Sequence, residues 1–276
     1  MTLAAALRQG AALLAREGVE PARLTAEILL AHALQRERTY LYSHPEAELS
    51  ELEWLHFGRY LHERLRGKPV QYITGRQEFY GRPFRVTPAV LIPRPETEHV
   101  VEAALELARG ARAAVDVGTG SGAIAVTLAL EMRARVVATD ISAAALEVAA
   151  GNAERLGAPV AFVRCDLASA VASQSVDLVV SNPPYVPSSQ IASLQREVRD
   201  WEPRAALCGG PSGLEFYARL AAEAERVLRP GGWLVVELGM GQHQAVRRML
   251  SARWSRPRIG KDLAGVPRVL AARLRE

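Results

Sequence analysis

From Leu3 to Leu65 the apolar residues recur with helical spacing. Leu3, Leu7, Ala11 and Leu14 form one face, and Gly18 stops that helix. Pro21 suits the first turn of a second helix, whose face is Leu24, Ile28 and Ala31. A short third segment ends at Pro45. Ser50 and Glu53 are spaced as a capping box, with Leu49 and Trp54 placed as its hydrophobic staple. Trp54, Leu61 and Leu65 continue along that fourth helix until Gly67 and Pro69 end it. Four short amphipathic helices predict a small bundle over residues 1–68.

Residues 69–95 change character. Glu78 to Val86 and Val90 to Ile92 read as two strands around turns, a β-hairpin linker. A helix is expected from about Glu96 to Ala108, its start rich in acids that suit a helix N-terminus. From Ala113 onward, apolar runs of strand length alternate with helical stretches. The strands are expected to end near Val117, Thr139, Cys165, Val180, Leu238, Ile259 and Leu274. The helices are expected near 121–131, 143–156, 214–228 and 241–251. This alternation predicts an α/β domain over 96–276, doubly wound around a mostly parallel sheet in the Rossmann manner. The last two strands have no helix between them, so an antiparallel hairpin is expected at one edge.

With 276 residues, 49% of them hydrophobic, the chain can bury a sizeable core. No run approaches a membrane span, and the start lacks the basic n-region of a signal peptide. A mature cytoplasmic protein is the expectation. Cys165 and Cys208, in no paired motif, argue against a disulfide framework and suit a reducing compartment. The net charge is +4, carried almost wholly by Arg, with Lys only at Lys68 and Lys261. The basic residues from Arg247 to Arg275 read as a solvated face. The six His have no metal-ligand spacing, and no phosphate-binding GxxxxGK[ST] or nucleophile-elbow GxSxG is present.

Three strand ends carry the chemistry of a nucleoside pocket. Asp116-Val117-Gly118-Thr119-Gly120-Ser121-Gly122 lies where the first strand of the α/β domain turns into a helix, and its glycines allow close backbone approach to a ligand. Asp140 ends the second strand, where its carboxylate could accept ribose hydroxyls, and Asp166 ends the third, where it could accept from an adenine amino group. The loop alone also fits a nicotinamide dehydrogenase, because Gly118, Gly120 and Ala123 match the dinucleotide pattern. The fourth strand end decides between them. Ser181-Asn182-Pro183-Pro184-Tyr185 follows a buried apolar run, and two prolines stop the strand there. The Asn182 side-chain oxygen and the Pro183 carbonyl offer two fixed acceptors, which suit a planar NH2 group, and Tyr185 can stack on its plane. No proton relay for hydride transfer follows that strand. Methyl transfer to an amino or amide nitrogen fits instead. Adenine-N6 methylation of nucleic acid, which would require base flipping, and an idle binding module are the rival readings.

The chain resembles the bacterial peptide-chain release factor glutamine N5-methyltransferases, a branch of the class I S-adenosylmethionine-dependent methyltransferases. The resemblance covers most of the chain. It is carried by Pro69 to Gly75, Glu78 to Gly81, Leu91-Ile92-Pro93-Arg94-Pro95-Glu96-Thr97-Glu98, Asp116 to Gly122, Ser181 to Tyr185, Glu202 to Leu207, Gly213-Leu214 and Pro230 to Gly232. It implies S-adenosylmethionine as cofactor, held by Gly118, Thr119, Gly120, Ser121, Gly122, Asp140, Asp166, Leu167 and Asn182. It implies Asn182, Pro183 and Tyr185 as catalytic residues, and Asn182, Pro183, Pro184 and Tyr185 against the substrate. It implies the glutamine of a Gly-Gly-Gln loop in class 1 release factors as acceptor, docked by the helical bundle. Relatives acting on a ribosomal protein glutamine are the alternative within the family. Leu167 departs from the pattern, standing where some relatives carry an aromatic beside the adenine. No direct nucleic-acid partner and no membrane are expected, and a monomer suffices.

Overall fold

The computed structural model describes residues 1–276. Five helices open the chain: α1 (Leu3–Arg16), α2 (Ala22–Leu34), α3 (Arg38–Ser43), α4 (Glu51–Leu65) and α5 (Val70–Thr74). A hairpin follows, β1 (Arg76–Phe79) and β2 (Arg82–Arg85). A 3-10 turn at Pro95–Thr97 leads into α6 (Glu98–Leu107). Then come β3 (Ala113–Val117), α7 (Ala123–Glu131), β4 (Arg135–Asp140), α8 (Ala143–Leu156), β5 (Val160–Arg164) and β6 (Val176–Ser181). The chain continues through α9 (Arg196–Trp201), α10 (Arg204–Leu207), α11 (Glu215–Val227), β7 (Leu228–Glu237), α12 (His243–Met249), β8 (Arg258–Lys261) and β9 (Pro267–Arg273).

The chain divides into two compact units, Met1–Arg76 with Gln195–Trp201, and Gln77–Leu194 with Glu202–Glu276. In the first unit, α4 begins on the expected capping box, in which Ser50 and Glu53 satisfy each other's backbone N–H groups. Phe57 and Leu61 on α4, and Leu3 and Leu14 on α1, pack around α2. The expected face of α2 is corrected. Ala31 is buried as expected, but Leu24 is exposed and Ile28 only half-buried, while Ala22, Ala26, Leu29, Leu30 and Ala33 are buried as well. Helix α2 is covered by α1, α3, α4 and α5, so its buried arc is wider than one stripe. Helix α9 belongs to this unit too: Arg64 pairs with Glu197 at 2.7 Å, and the Lys68 ammonium lies over the Trp201 ring.

The second unit is a seven-stranded sheet in the order β5-β4-β3-β6-β7-β9-β8. Strands β5, β4, β3, β6 and β7 run parallel, and β9 and β8 add an antiparallel edge, as the missing crossover helix predicts. Every residue of β3 is buried, as a central parallel strand with both faces covered requires. Helices α6, α7 and α8 contribute to the core on one face of the sheet, and α11 and α12 to the core on the other. The strand order reverses at β3, with β4 on one side and β6 on the other. The crevice outside the carboxyl ends of β3 and β6 is therefore the topological switch point where ligands bind in such sheets.

The hairpin is shorter than expected and Val90 to Ile92 is not a strand. Val86, Val90 and Ile92 are buried, but the Ile92 N–H donates to Glu202 Oε2 at 3.3 Å and not to a neighbouring strand. An apolar run can be buried by a loop when side chains satisfy its backbone. Part of the basic C-terminal run is also paired, with Arg268 bonded to Asp262 and the Arg273 guanidinium to the Gly231 carbonyl. No helix is long and apolar enough to cross a membrane.

Candidate active site

The loop from Val117 to Gly122 is shaped by positive φ at Gly118, Gly120 and Gly122. A Cβ at Gly118 or Gly120 would meet nothing within 4 Å, so both glycines face open space. Gly122 has a different role from the one expected. A Cβ there would come within 3.1 Å of Ala149 Cβ, so this glycine lets α7 pack on α8 and does not line the cavity. The loop is tied to β4: the Gly118 and Thr119 N–H groups donate to the Thr139 carbonyl, each at 2.9 Å. Asp140 Oδ2 accepts from the Gly120 N–H and Oδ1 from the Ser142 N–H, both at 2.9 Å. Each oxygen keeps a lone pair, so the carboxylate can still accept hydroxyls from the cavity.

That cavity, of about 460 Å³, runs along the switch point. Gly118, Thr119, Gly120 and Ser121 line one wall, Asp140 and Asp166 the strand ends beyond it, and Ser181 to Pro184 the opposite wall. The Ser181 hydroxyl donates to the Val117 carbonyl at 2.7 Å and locks the two walls together. Asp116 lies fully buried behind the glycine loop. Its Oδ2 accepts from the Thr119 hydroxyl at 2.6 Å and the Ala125 N–H at 3.2 Å, while Oδ1 has no partner. Burial pushes its carboxyl up to about 7. Two acids, Asp140 and Asp166, on a cavity walled by a glycine cradle make an acceptor set that fits a nucleoside bearing hydroxyls and an amine.

At the far end, Leu167 lines the cavity with φ near +48°, and Asp166 pairs with Arg219 at 2.5 Å. Phe216 stands beside them, with the Arg219 guanidinium over its ring at 5.8 Å. Helix α11 thus supplies an aromatic ring at the end where Leu167 lacks one. The periodicity marks α11 as a helix but not which of its residues face a cavity, so Phe216 and Arg219 escaped the sequence reading.

On the opposite wall, Asn182 Nδ2 donates to Thr97 Oγ1 at 3.1 Å. The Thr97 hydroxyl donates to Glu237 Oε2 at 2.5 Å, and the Tyr185 hydroxyl to Glu237 Oε1 at 3.3 Å. Glu237 is 2% exposed, and its burial pushes the carboxyl up to about 7. Tyr185 does not line the cavity: its ring packs against the core beneath the sheet's α11 face, and burial raises its hydroxyl pKa. The expected stacking of Tyr185 on the acceptor is therefore not the arrangement seen, and its hydroxyl instead holds Glu237. The segment after Tyr185 is clamped by glycines. A Cβ at Gly209 would fall 2.7 Å from the Pro184 carbonyl, and one at Gly213 2.4 Å from that of Tyr185. Arg94 pairs with the buried carboxylate of Glu202, so the Pro-Arg-Pro and Glu-Pro-Arg segments meet at this wall. Glu237 was missed because it reads as the polar end of the apolar run from Trp233 to Val236.

The reversed strand order and a switch-point cavity with a glycine cradle and strand-end acids define a class I methyltransferase domain. In agreement, residues 99–198 match the family model of the methyltransferase small domain, and residues 5–75 that of the PrmC N-terminal domain. A release factor glutamine methyltransferase of Koribacter versatilis is 48% identical over 91% of this chain and 91% of its own. Another, from Nitratidesulfovibrio vulgaris, is 45% identical over 99% of this chain and 95% of its own. The chain belongs to the release factor glutamine methyltransferase family. Among solved structures, a methyltransferase from Pyrococcus furiosus shares the fold with a TM-score of 0.56 at 21% identity, covering 71% of this chain and 91% of that one.

Proposed function

We propose that the protein methylates the side-chain amide nitrogen, N5, of the glutamine in the Gly-Gly-Gln loop of class 1 release factors, with S-adenosylmethionine as methyl donor. Family membership supports the reaction. The observation that carries the site assignment is the Asn182 carboxamide, bonded through Nδ2 to Thr97 on a cavity wall that Pro183 also lines. The residues present fit the cofactor: Gly118 to Ser121 would approach its methionine part, Asp140 its ribose, and Asp166, Leu167 and Phe216 its adenine. Bound there, it would supply an electrophilic methyl group.

The rest is the work of this chain. An amide nitrogen is a poor nucleophile, because its lone pair is delocalised into the carbonyl. Asn182 Oδ1 and the Pro183 carbonyl accept the two N–H bonds of the glutamine amide. They orient the nitrogen towards the methyl group and stabilise the positive charge that develops on it. The methylated nitrogen then loses one proton to water, so no strong general base is required. The helical unit holds no part of this cavity and is proposed to dock the protein substrate. The test is radiolabelled methyl transfer into a purified release factor, beside a variant with its loop glutamine replaced. Label in the first and none in the second is expected; label in both would move the acceptor elsewhere.

A further inference from the structure

We infer that Thr97 and Glu237 are positioning residues that set which way round the Asn182 carboxamide faces the cavity. The inference rests on the role given to Asn182 above. A threonine hydroxyl has one proton and two lone pairs. At Thr97 the proton is committed to Glu237 Oε2, at 2.5 Å. An ionised carboxylate only accepts, so Thr97 can present only a lone pair to Asn182. The NH2 end of the carboxamide satisfies that lone pair, at 3.1 Å, and the reverse orientation would set two acceptors against each other. Oδ1 is thereby turned away from Thr97 and free to accept from an incoming amide. An asparagine without such a partner could present either its oxygen or its NH2 group to the substrate's NH2 group.

A buried carboxyl is a costly way to hold two hydroxyls unless its acceptor-only character matters. Its side-chain partners are the hydroxyls of Thr97 and Tyr185, not a cation. The groups that face it are Glu96, which favours its protonation, and Arg268, which opposes it. Arg268 is itself bonded to Asp262. Tyr185 keeps its proton, with Arg94 and Arg268 only partly offsetting its burial, and Tyr217 gives its hydroxyl to the Glu237 backbone carbonyl at 3.0 Å. Once protonated, Glu237 can donate to Thr97, whose own proton is then free to turn towards Asn182. The constraint on the carboxamide is lost. With the carboxyl raised to about 7, this change falls in the neutral range.

The chain has two asparagines, Asn152 and Asn182. Protein labelled with 15N at asparagine therefore gives two side-chain NH2 signals, and one of them reports the orientation without any substrate. In wild type the Asn182 signal should titrate with a midpoint near 7. In Glu237→Gln and Thr97→Val it should not titrate, and single-turnover methylation at saturating cofactor should be about tenfold slower or worse at alkaline pH. Thr97→Ser, which keeps the hydroxyl, should restore the rate to within about twofold. Cofactor affinity should be unchanged in all three. An Asn182 signal insensitive to pH in wild type, or a Thr97→Val enzyme with the wild-type rate and pH profile, would overturn the inference. If Glu237→Gln fails to fold, the Thr97 pair decides. If wild type methylates no release factor while Asn182 still titrates with Glu237, the assigned function fails and the positioning does not.

Discussion

Arg219 closes on Asp166 with its Nη2 at 2.5 Å from Oδ2, and both side chains are half exposed. An ion pair so open to water is worth about 0–1 kcal/mol, so fold stability does not account for its place on the cavity rim. Asp166 retains lone pairs for an adenine amino group. Asp166→Ala is expected to weaken S-adenosylmethionine binding by about tenfold or more, the worth of one hydrogen bond to a charged group. The melting temperature should stay within about 2 °C, as for an exposed substitution. Titration calorimetry checks this, and an affinity within about twofold of wild type would remove Asp166 from the site.

Phe216 offers the aromatic face that Leu167 does not. Stacking of a base on an aromatic ring is worth about 1–3 kcal/mol. Phe216→Ala should therefore raise the cofactor dissociation constant about fivefold to a hundredfold, while Phe216→Tyr should leave it nearly unchanged. Equal loss in both variants would point to packing of α11 and not to stacking.

The parallel half of the sheet was legible because four of its strands end at a chemical landmark: Gly118, Asp140, Asp166 and Asn182 follow or close β3, β4, β5 and β6. That Asn182 and Pro183 stand at a strand end on the cavity was legible, since two prolines leave the chain few conformations. What escaped was whatever depends on sidedness between distant segments. Gly122 looks the same as Gly118 until Ala149 is seen against it. Thr97, Tyr185 and Glu237 come from three separated stretches, and only the fold joins them. The Val90 to Ile92 run misleads because the Val90 N–H is taken by a local turn to Thr87 and the Ile92 N–H by Glu202, more than a hundred residues along the chain, where no local pattern can announce it.

Asp116 and Glu237 are both raised to about 7 by burial, so each binds its proton more tightly in the folded state than in the unfolded one. The stability such groups contribute is present below their unfolded values and is lost as pH rises through about 7. Asp116→Asn cannot ionise. The melting temperature of the variant minus that of wild type should therefore become more positive as pH rises from about 5 to about 8. A difference that falls over that range would mean that Asp116 is ionised in the native protein well below neutral pH.

Asn182→Ala removes one of the two acceptors proposed to orient the glutamine amide and leaves the Pro183 carbonyl alone. Loss of one such oriented hydrogen bond in a transition state costs about 2.7–4 kcal/mol, or a hundredfold or more in rate. Cofactor affinity should change far less, because Asp140 and the glycine loop lie on the other wall of the cavity. Stability should change little as well, since the Asn182 side chain makes one internal bond, to Thr97. Tyr185→Phe acts differently: it keeps the ring but takes a donor from Glu237, whose carboxyl should then titrate higher. Its rate at alkaline pH should stay near that of wild type, and the acid limb of its pH profile should move to higher pH. Single-turnover methylation across pH, with a melting temperature for each variant, separates these outcomes. If Asn182 only ends a strand, Asn182→Ala will be nearly silent in rate and any loss will follow stability. A folded Asn182→Ala protein that methylates at a near-normal rate would end the mechanism.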